Sequence, residues 1–300
     1  MKILVVGSIN MDMVTYADRI PKRGETAFGR DFIKNPGGKG ANQACAAARL
    51  GSSVTMLGAV GEDSFGTELE ECLQKNGVRP FLKKVKEPTG CATILIEEEN
   101  HDNRILVISG ANHAVKEEDI DNNISLIKEA DIILTQLELP LQTVAHLAKV
   151  AEEYKKIFIL NPAPGIRLPE SLLRSVTYLT PNETELSLVS GIDIKDEASF
   201  FQACQALLDK GVNTLLVTLG SRGVYLYSRT ENTLIPAYQV DAVDTTAAGD
   251  CFNGAFAAYL AKGFEQKKAI SYAEKASSLC VQRRGAICSL PKEDEISIEE

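Results

Sequence analysis

The segment KILVVG, residues Lys2 to Gly7, is a continuous apolar run that follows one lysine and ends at a glycine. This pattern is typical of a strand in a parallel sheet, in which helices cover both faces. Apolar runs of the same kind follow at Val54–Val60, Ile132–Thr135, Ile157–Leu160 and Leu215–Leu219. Helical segments alternate with these runs at Gly38–Leu50, Ser64–Asn76, Leu141–Tyr154 and Ser199–Lys210. The alternation predicts an α/β fold with a doubly wound, mostly parallel central sheet flanked by helices.

Two segments interrupt this alternation. Met13–Pro36 has turn residues and short β-like pieces, and Gly90–Gly110 has two strand patterns around a polar turn. Long loops without any structure of their own are uncommon, which disfavours two surface loops. We therefore predict a small β-sheet lid formed by residues 13–37 and 90–110. Residues 1–12, 38–89 and 111–300 then form the α/β domain.

The composition is typical of a globular enzyme: 300 residues, 44% hydrophobic and 24% charged. A formal net charge of -9 disfavours nucleic acid as a partner, because a phosphate backbone attracts lysine and arginine. We find no apolar stretch long enough to span a membrane and no signal-peptide pattern at the start. Seven cysteines, an odd number with wide spacing, favour reduced thiols and a cytoplasmic location.

Polar residues follow the first strand, at the edge where ligands of open parallel sheets bind. The sequence there, GSINMD, lacks the glycine fingerprint of a dinucleotide fold, and no phosphate-binding P-loop pattern occurs in the chain. Asn10 and Asp12 supply an amide and a carboxylate, which together can bind neighbouring hydroxyls. A turn with local side-chain hydrogen bonds is the alternative interpretation.

The stretch NPGGKGANQ, Asn35 to Gln43, joins the predicted lid to a helix. Gly37 and Gly38 allow a ligand to approach the backbone, and the helix start offers free amides to polar or anionic groups. The glycine pair is also a candidate hinge. Helix-start chemistry alone explains Asn42 but not three glycines around one lysine.

Three further stretches carry weaker signals. Glu138 follows a strand and could reach a hydroxyl, or it is simply solvated. Asn182 and Glu185 match a capping box, and Glu185 is also a candidate to order water around magnesium. The turn TLGSRG, Thr218–Gly223, could cradle phosphates or be a plain hairpin turn.

The stretch DTTAAGDCFNGAF, Asp244 to Phe256, combines small residues with a helix start. Unpaired amides at Gly249–Cys251 are expected to form an anion hole for a phosphoryl group in transfer. The positive end of the helix would keep Asp250 ionised, so that it could accept the proton of an attacking hydroxyl. A helix-starting acid is the alternative, but it leaves Asp244 and the small residues unexplained.

Six stretches, NPGGKGANQA, GEDSFG, NPAPG, TPNETE, TLGSRG and DTTAAGDCFNGA, occur in the order seen in the ribokinase-like (PfkB) carbohydrate kinase family, which the chain resembles over nearly its whole length. The resemblance implies transfer of the γ-phosphoryl of ATP to the 5-hydroxyl of ribose. The alternative acceptors are 2-deoxyribose, another pentose or a nucleoside. It also implies a homodimer formed through the β lid. A dinucleotide-dependent oxidoreductase and a sugar-binding regulator without catalysis are the rival classes.

By the same resemblance, Asp250 is expected to be the catalytic base and Gly249 part of the anion hole. The residues expected to contact the sugar are Asn10, Met11, Asp12, Gly38, Lys39, Gly40, Asn42, Glu138 and Asp250. The residues expected to contact ATP are Asn182, Thr218, Leu219, Gly220, Ser221, Arg222, Gly223, Gly249 and Glu274. Glu274 stands where the family often has an asparagine near the adenine.

The resemblance further implies two cations. Mg²⁺ would accompany ATP, with Glu185 near it through water. K⁺ would be an activating ion that stiffens the Ala247–Asp250 turn, held largely by main-chain oxygens at Asp244, Thr246, Cys280, Arg283, Gly285 and Ser289. Ala247 replaces a glycine that is frequent in the wider family, which favours the ribose-specific branch.

Overall fold

The structure is a computed structural model that describes residues 1–97, 99 and 102–297. These residues contain thirteen strands and ten α-helices. The strands are β1 (Lys2–Val6), β2 (Asn10–Ala17), β3 (Asp31–Gly37), β4 (Ser53–Gly61), β5 (Val78–Val85), β6 (Gly90–Glu97), β7 (Asp102–Ile108), β8 (Ile132–Thr135), β9 (Ile157–Leu160), β10 (Tyr178–Leu179), β11 (Thr214–Thr218), β12 (Val224–Ser228) and β13 (Asn232–Ile235). The helices are α1 (Lys39–Arg49), α2 (Ser64–Lys75), α3 (Glu117–Asn122), α4 (Ile124–Glu129), α5 (Leu141–Glu153), α6 (Glu170–Arg174), α7 (Glu183–Ser190), α8 (Glu197–Asp209), α9 (Ala248–Ala261) and α10 (Gln266–Cys280).

The central sheet has nine strands in the order β13-β12-β11-β10-β9-β8-β1-β4-β5. It is parallel from β5 to β11, and β12 and β13 add an antiparallel edge. The predicted doubly wound, mostly parallel sheet is therefore confirmed. The chain winds from β1 to β4 on one side and continues with β8 on the other, so a crevice opens beyond the carboxyl ends of β1 and β8.

Strand β1 is buried on both faces, as its unbroken apolar run predicts. Val5 packs in a core that includes residues of α1 and α9, whereas Leu4 and Val6 pack in a second core that includes residues of α5 and α8. Full burial of a large aliphatic side chain contributes about 1.5–3 kcal/mol. The first core fixes α1 and α9 on one face of the sheet and the second fixes α5 and α8 on the other, and both α1 and α9 begin at the crevice.

The small sheet has the strand order β3-β2-β6-β7. The predicted hairpin in residues 90–110 is present as β6 and β7, and the first interrupting segment supplies most of β2 and β3. The ladder begins at Asn10, which pairs with Gly37, rather than at Met13. Asn10 and Asp12 therefore lie on a strand that connects the central sheet to the small sheet. Whether residues 13–37 and 90–110 act as a lid stays a prediction.

In the described part of the chain, every helix is too short or too polar to cross a membrane.

Candidate active site

Asp250 lies in the first turn of α9 and is held by two side-chain amides from α1. Its Oδ2 accepts a hydrogen bond from Asn42 Nδ2 at 2.8 Å, and its Oδ1 accepts one from Gln43 Nε2 at 2.9 Å. The side chain is 7% exposed and forms no ion pair with any residue that the structure describes. Both donors come from α1, so that helix orients the Asp250 carboxylate at the start of α9.

Two main-chain amides at the start of α9 lack acceptors. The amides of Gly249 and Asp250 form no hydrogen bond within the described residues, as expected for a helix start. The amide of Cys251 instead donates to the Ala247 carbonyl at 2.7 Å, so the prediction that it is free was wrong. A Cβ built on Gly249 would meet no atom of the described residues within 4 Å, so this side of the helix start is open.

The turn before α9 is braced from behind. Ala247 has a positive φ of 61°, a conformation that is unusual for a residue with a side chain. Asn253 Nδ2 donates to the Gly249 carbonyl at 2.8 Å, and Thr180 Oγ1 donates to Asn253 Oδ1 at 2.6 Å. These bonds fix the backbone whose amides face the open space.

Asn10 and Asp12 lie near the start of β2, beside α1. Asn10 is buried, and its Oδ1 accepts a hydrogen bond from Asn112 Nδ2 at 2.8 Å, which leaves its own amide group free to donate. Burial, together with the nearby charges of Glu138 and Asp250, raises the pKa of Asp12 to about 7. Gly37 provides the room, because a Cβ there would lie 2.6 Å from Asp12 Oδ2.

The start of α1 brings a charge and a free acceptor to the crevice. Gly38 has φ of 90°, and a Cβ on it would lie 2.6 Å from the Asn10 amide nitrogen. The charge of Asp250 raises the pKa of Lys39 although burial opposes it. Asn42 Oδ1 is buried and has no hydrogen-bond partner within the described residues. This atom is closed off from solvent, so a ligand hydroxyl would reach it only if neighbouring side chains moved.

Two predicted sugar contacts are partly engaged elsewhere. The Met11 side chain is completely buried in the core, so only its main chain can reach a ligand. The Gly40 amide donates to Ser8 Oγ at 3.3 Å, and Ser8 Oγ donates to Glu138 Oε2 at 2.5 Å. Glu138 is therefore oriented by the residue that follows β1, at the same edge of the sheet.

The predicted nucleotide residues meet at the ends of β10 and β11. Asn182 and Thr218 form a parallel bridge, and the Leu219 amide donates to the Gly223 carbonyl at 2.8 Å to close the turn. Gly220 faces open space, whereas a Cβ on Gly223 would lie 2.0 Å from the Ile235 carbonyl oxygen. The turn is thus open to solvent on one side and packed on the other.

The remaining side chains of the nucleotide set differ in their surroundings. Arg222 is ion-paired with Glu183, and the Ser221 carbonyl accepts a hydrogen bond from Gln239 Nε2 at 3.1 Å. Glu274 is buried on α10, and burial raises its pKa to about 7.

Glu185 is the N3 residue of a capping box at α7. Its Oε2 accepts from the Asn182 amide at 2.9 Å, and its own amide donates to Asn182 Oδ1 at 2.8 Å. Burial raises the pKa of Glu185, while the Asn182 amide and Lys39 oppose that rise. The capping interpretation is confirmed, and it leaves one carboxylate oxygen for water or a cation.

The residues predicted to surround potassium form one connected loop region. Asp244 accepts from the amides of Thr246 at 2.9 Å and Gly285 at 2.8 Å. Burial acts to raise the pKa of Asp244, but these donors outweigh it, and the net pKa is lowered. Cys280 Sγ lies 3.1 Å from Ser289 Oγ, and Arg283 pairs with Glu295. No group of three or more acidic, histidine or cysteine side chains in the described residues suits a metal, so an ion here would depend on main-chain oxygens.

Several buried polar residues of the site were not predicted from the sequence. Gln43 lies in NPGGKGANQ and Asn161 lies in NPAPG, so both stand in motifs of the sequence although neither motif predicts a role for them. Asn112 and Gln136 stand outside any pattern that would distinguish them from surface amides, and Asn253 lies within DTTAAGDCFNGAF without a signal of its own. Their roles appear only when the elements that carry them pack together.

The comparisons with known proteins agree with this geometry. The model of the "pfkB family carbohydrate kinase" family matches residues 1–293, and the chain belongs to that family. It is 39% identical over 297 residues to a ribokinase of Bacillus subtilis, covering 98% of this chain and 97% of the relative. It is 36% identical over 300 residues to a deoxyribokinase of Salmonella typhi, covering 99% and 98%. The structure of an Arabidopsis thaliana ribokinase complexed with ribose and ATP superposes with a TM-score of 0.92 at 34% identity, covering 98% of this chain and 97% of that one.

Proposed function

We propose that the protein phosphorylates D-ribose on its 5-hydroxyl with ATP, giving ribose 5-phosphate and ADP. The observation that carries this proposal is that Asp250, whose carboxylate is oriented by Asn42 and Gln43, lies in the same helix turn as the free amides of Gly249 and Asp250. Family membership and the ribokinase relatives support the same activity.

In the reaction, the hydroxyl oxygen of the sugar bonds to the γ-phosphorus of ATP. Asp250 accepts the proton that this hydroxyl loses. The bond between that phosphorus and the β–γ bridging oxygen breaks, and the bonding electrons leave with ADP. The amides of Gly249 and Asp250 and the ammonium of Lys39 stabilise the charge on the transferring group. A loose transition state of this kind needs a positioned proton acceptor more than a strong base.

Ribose is favoured over 2-deoxyribose by the pair Asn10 and Asp12. The free amide of Asn10 can donate to one hydroxyl and Asp12 can accept from its neighbour. A site built around hydrogen bonds to hydroxyls rejects a ligand that lacks one, because its buried polar groups then stay unpaired. Deoxyribose phosphorylation is the second candidate, since a deoxyribokinase is 36% identical over 300 residues.

Two cations complete the proposal. The open oxygen of Glu185 fits a water-mediated contact to Mg²⁺, which supplies charge neutralisation for the phosphates when bound with ATP. The loop of Asp244, Gly285 and Ser289 fits K⁺, because its lowered carboxyl pKa keeps a negative charge beside main-chain oxygens. This loop packs against the turn that precedes α9, since the Cys280 thiol faces the Thr246 carbonyl at 4.0 Å.

The assay that tests the proposal measures ADP formation with ribose, 2-deoxyribose, other pentoses and a nucleoside, in MgATP with K⁺. We expect kcat/KM for ribose to exceed that for 2-deoxyribose by at least about tenfold. Replacing K⁺ by Na⁺ or Li⁺ should lower kcat, and equal rates in all three salts would reject the potassium site. A preference for deoxyribose or a nucleoside would replace ribose as the substrate.

We further propose a homodimer through the small sheet. Strand β7, at the edge of the small sheet, leaves Ile105 and Val107 exposed on one face, 56% and 54%, and Leu106 exposed on the other, 68%, and exposed apolar side chains of this kind mark an interface. Sedimentation velocity tests the homodimer, and a monomer at micromolar concentration contradicts it.

All seven cysteines are free, which fits a reducing compartment such as the cytoplasm.

A further inference from the structure

We propose that Gln43 is a positioning residue for phosphoryl transfer, whose side-chain amide aims the Asp250 carboxylate and keeps it ionised. This inference rests on the proposed role of Asp250 as the proton acceptor. Gln43 follows Asn42 on α1 and is fully buried, so it cannot touch the sugar or the nucleotide from solvent. It acts through the hydrogen bond that its Nε2 donates to Asp250 Oδ1 at 2.9 Å.

The orientation of the Gln43 amide is fixed from one side by a main-chain carbonyl. The Thr180 carbonyl can only accept, and it accepts from Asn161 Nδ2 at 3.1 Å. Asn161 must therefore turn its Oδ1 the other way, towards Gln43 Nε2 at 3.1 Å. Two acceptors, Asn161 Oδ1 and Asp250 Oδ1, thus face the same donor group of Gln43.

A second glutamine matches this orientation from the other side, but its own Oε1 is buried without a partner among the described residues, so the Asn161 side is the one that fixes Gln43. Gln136 Nε2 donates to Gln43 Oε1 at 2.6 Å. Gly7 makes room for this residue, because a Cβ there would lie 2.2 Å from Gln136 Oε1. A flipped Gln43 would set its oxygen against two acceptors and its amino group against a donor, so the native orientation has no competitor.

The hydrogen bonds of Gln43 connect the central sheet to the Asp250 carboxylate. Thr180 follows β10, Asn161 follows β9 and Gln136 follows β8, so three neighbouring strand ends define where the donor of Gln43 points. Thr180 also braces Asn253 beneath the Gly249 turn. The same strand ends therefore register the proton acceptor and the anion hole against each other.

Replacing Gln43 by glutamate tests this role without changing size. Gln43→Glu puts an acceptor where Nε2 faced Asp250 and Asn161, and two carboxyls in contact cannot both ionise easily. We expect kcat at pH 7 to fall about tenfold, the size of one lost charge-assisted hydrogen bond. The acidic limb of the kcat profile should move upward by about one pH unit or more.

Other charged groups also shape that profile, so the comparison is with wild type at each pH. The titratable groups that act on Asp250 or face it are Asp12 on β2, Lys39 on α1, Glu185 on α7, Cys251 on α9 and Cys280 on α10. The substitution replaces none of these residues. The matched control is Gln202→Glu, which adds the same charge on the exposed face of α8 and should leave both kcat and the limb unchanged.

Gln43→Met is the second variant, because it removes the donor without adding charge. Thermal unfolding and MgATP binding establish that each variant is folded. For folded Gln43→Met, we expect kcat about tenfold lower, with KM for ribose and for ATP within about twofold of wild type. Wild-type kcat in either folded variant, or an unmoved acidic limb in Gln43→Glu, overturns the proposal. A wild-type enzyme inactive on every sugar would instead reject the proposed function.

Discussion

At the scale of single residues, the site is a balance of charges in a half-buried crevice. Glu138 and Asp250 act electrostatically on Asp12 to raise its pKa, and Lys39 acts to lower it. Asp250 is held by amide donors, whereas Asp12 has no comparable donor and its pKa rises to about 7. Asp12 is therefore partly protonated near neutral pH, and a sugar hydroxyl that donates to Asp12 would favour the charged form.

This balance predicts a pH-dependent stability effect for Asp12→Asn. The folded-state pKa of Asp12, about 7, lies above the ordinary aspartate value of 3.8, so the folded state binds the proton more tightly. Stability from this group is full below pH 4 and is lost as the pH rises through 7. The Tm of Asp12→Asn relative to wild type should therefore increase between pH 5 and pH 8.

Thermal unfolding without sugar, at constant ionic strength, measures the effect. Asp294→Asn on the surface is the matched control and should show a constant difference from wild type. A Tm difference for Asp12→Asn that does not change with pH would mean that burial does not raise the pKa of Asp12 in the free enzyme.

At the scale of elements, α1 and α9 form the site because they approach each other closely. A Cβ on Gly254 of α9 would lie 2.4 Å from the Gln43 carbonyl oxygen of α1. This contact brings Asn42 and Gln43 within hydrogen-bonding distance of Asp250. Gly249, one turn earlier on α9, meets nothing within 4 Å, so the two glycines serve different purposes.

Alanine at the two positions should separate activity from stability. For Gly249→Ala, we expect an unchanged or slightly higher Tm, because alanine is favoured in helices by about 1 kcal/mol. Its kcat should fall at least about tenfold, because the methyl group enters the space of the phosphoryl group. For Gly254→Ala, overpacking should cost about 1–3 kcal/mol of unfolding free energy.

Thermal unfolding and steady-state kinetics on both variants provide the measurement. Normal turnover in Gly249→Ala would remove that space from the reaction path. An unchanged Tm in Gly254→Ala would mean that α1 and α9 are not packed tightly at this contact.

At the scale of the whole molecule, the sequence predicts the strands with apolar runs deep in the sheet and misses the edge strands and one very short internal strand. Strands β1, β4, β8, β9 and β11 have unbroken apolar runs because helices cover both faces. Strand β5 is half exposed and carries lysines, and β10 has only 2 residues, so neither shows a strand pattern. Strands β12 and β13, at the antiparallel edge, are also partly exposed and therefore lack an apolar run that would predict them.

The site divides in the same way. Asn10, Asn42 and Asp250 stand at element ends, where local patterns indicate free polar groups, and the structure brings them together. The support of Asp250 could not be predicted, because Gln43 bonds to residues 93, 118 and 207 positions away. Such pairings depend on how three elements pack, and no local pattern encodes them.

The most direct test of the account is the single-turnover rate of Asp250→Asn with ribose and MgATP. The substitution keeps the shape of the side chain but removes the proton acceptor, and Tm and ATP binding verify the fold. We predict a rate at least ~10²-fold below wild type, the lower range for a positioned acid or base. A folded Asp250→Asn enzyme that transfers the phosphoryl group at a rate near that of wild type would contradict the account.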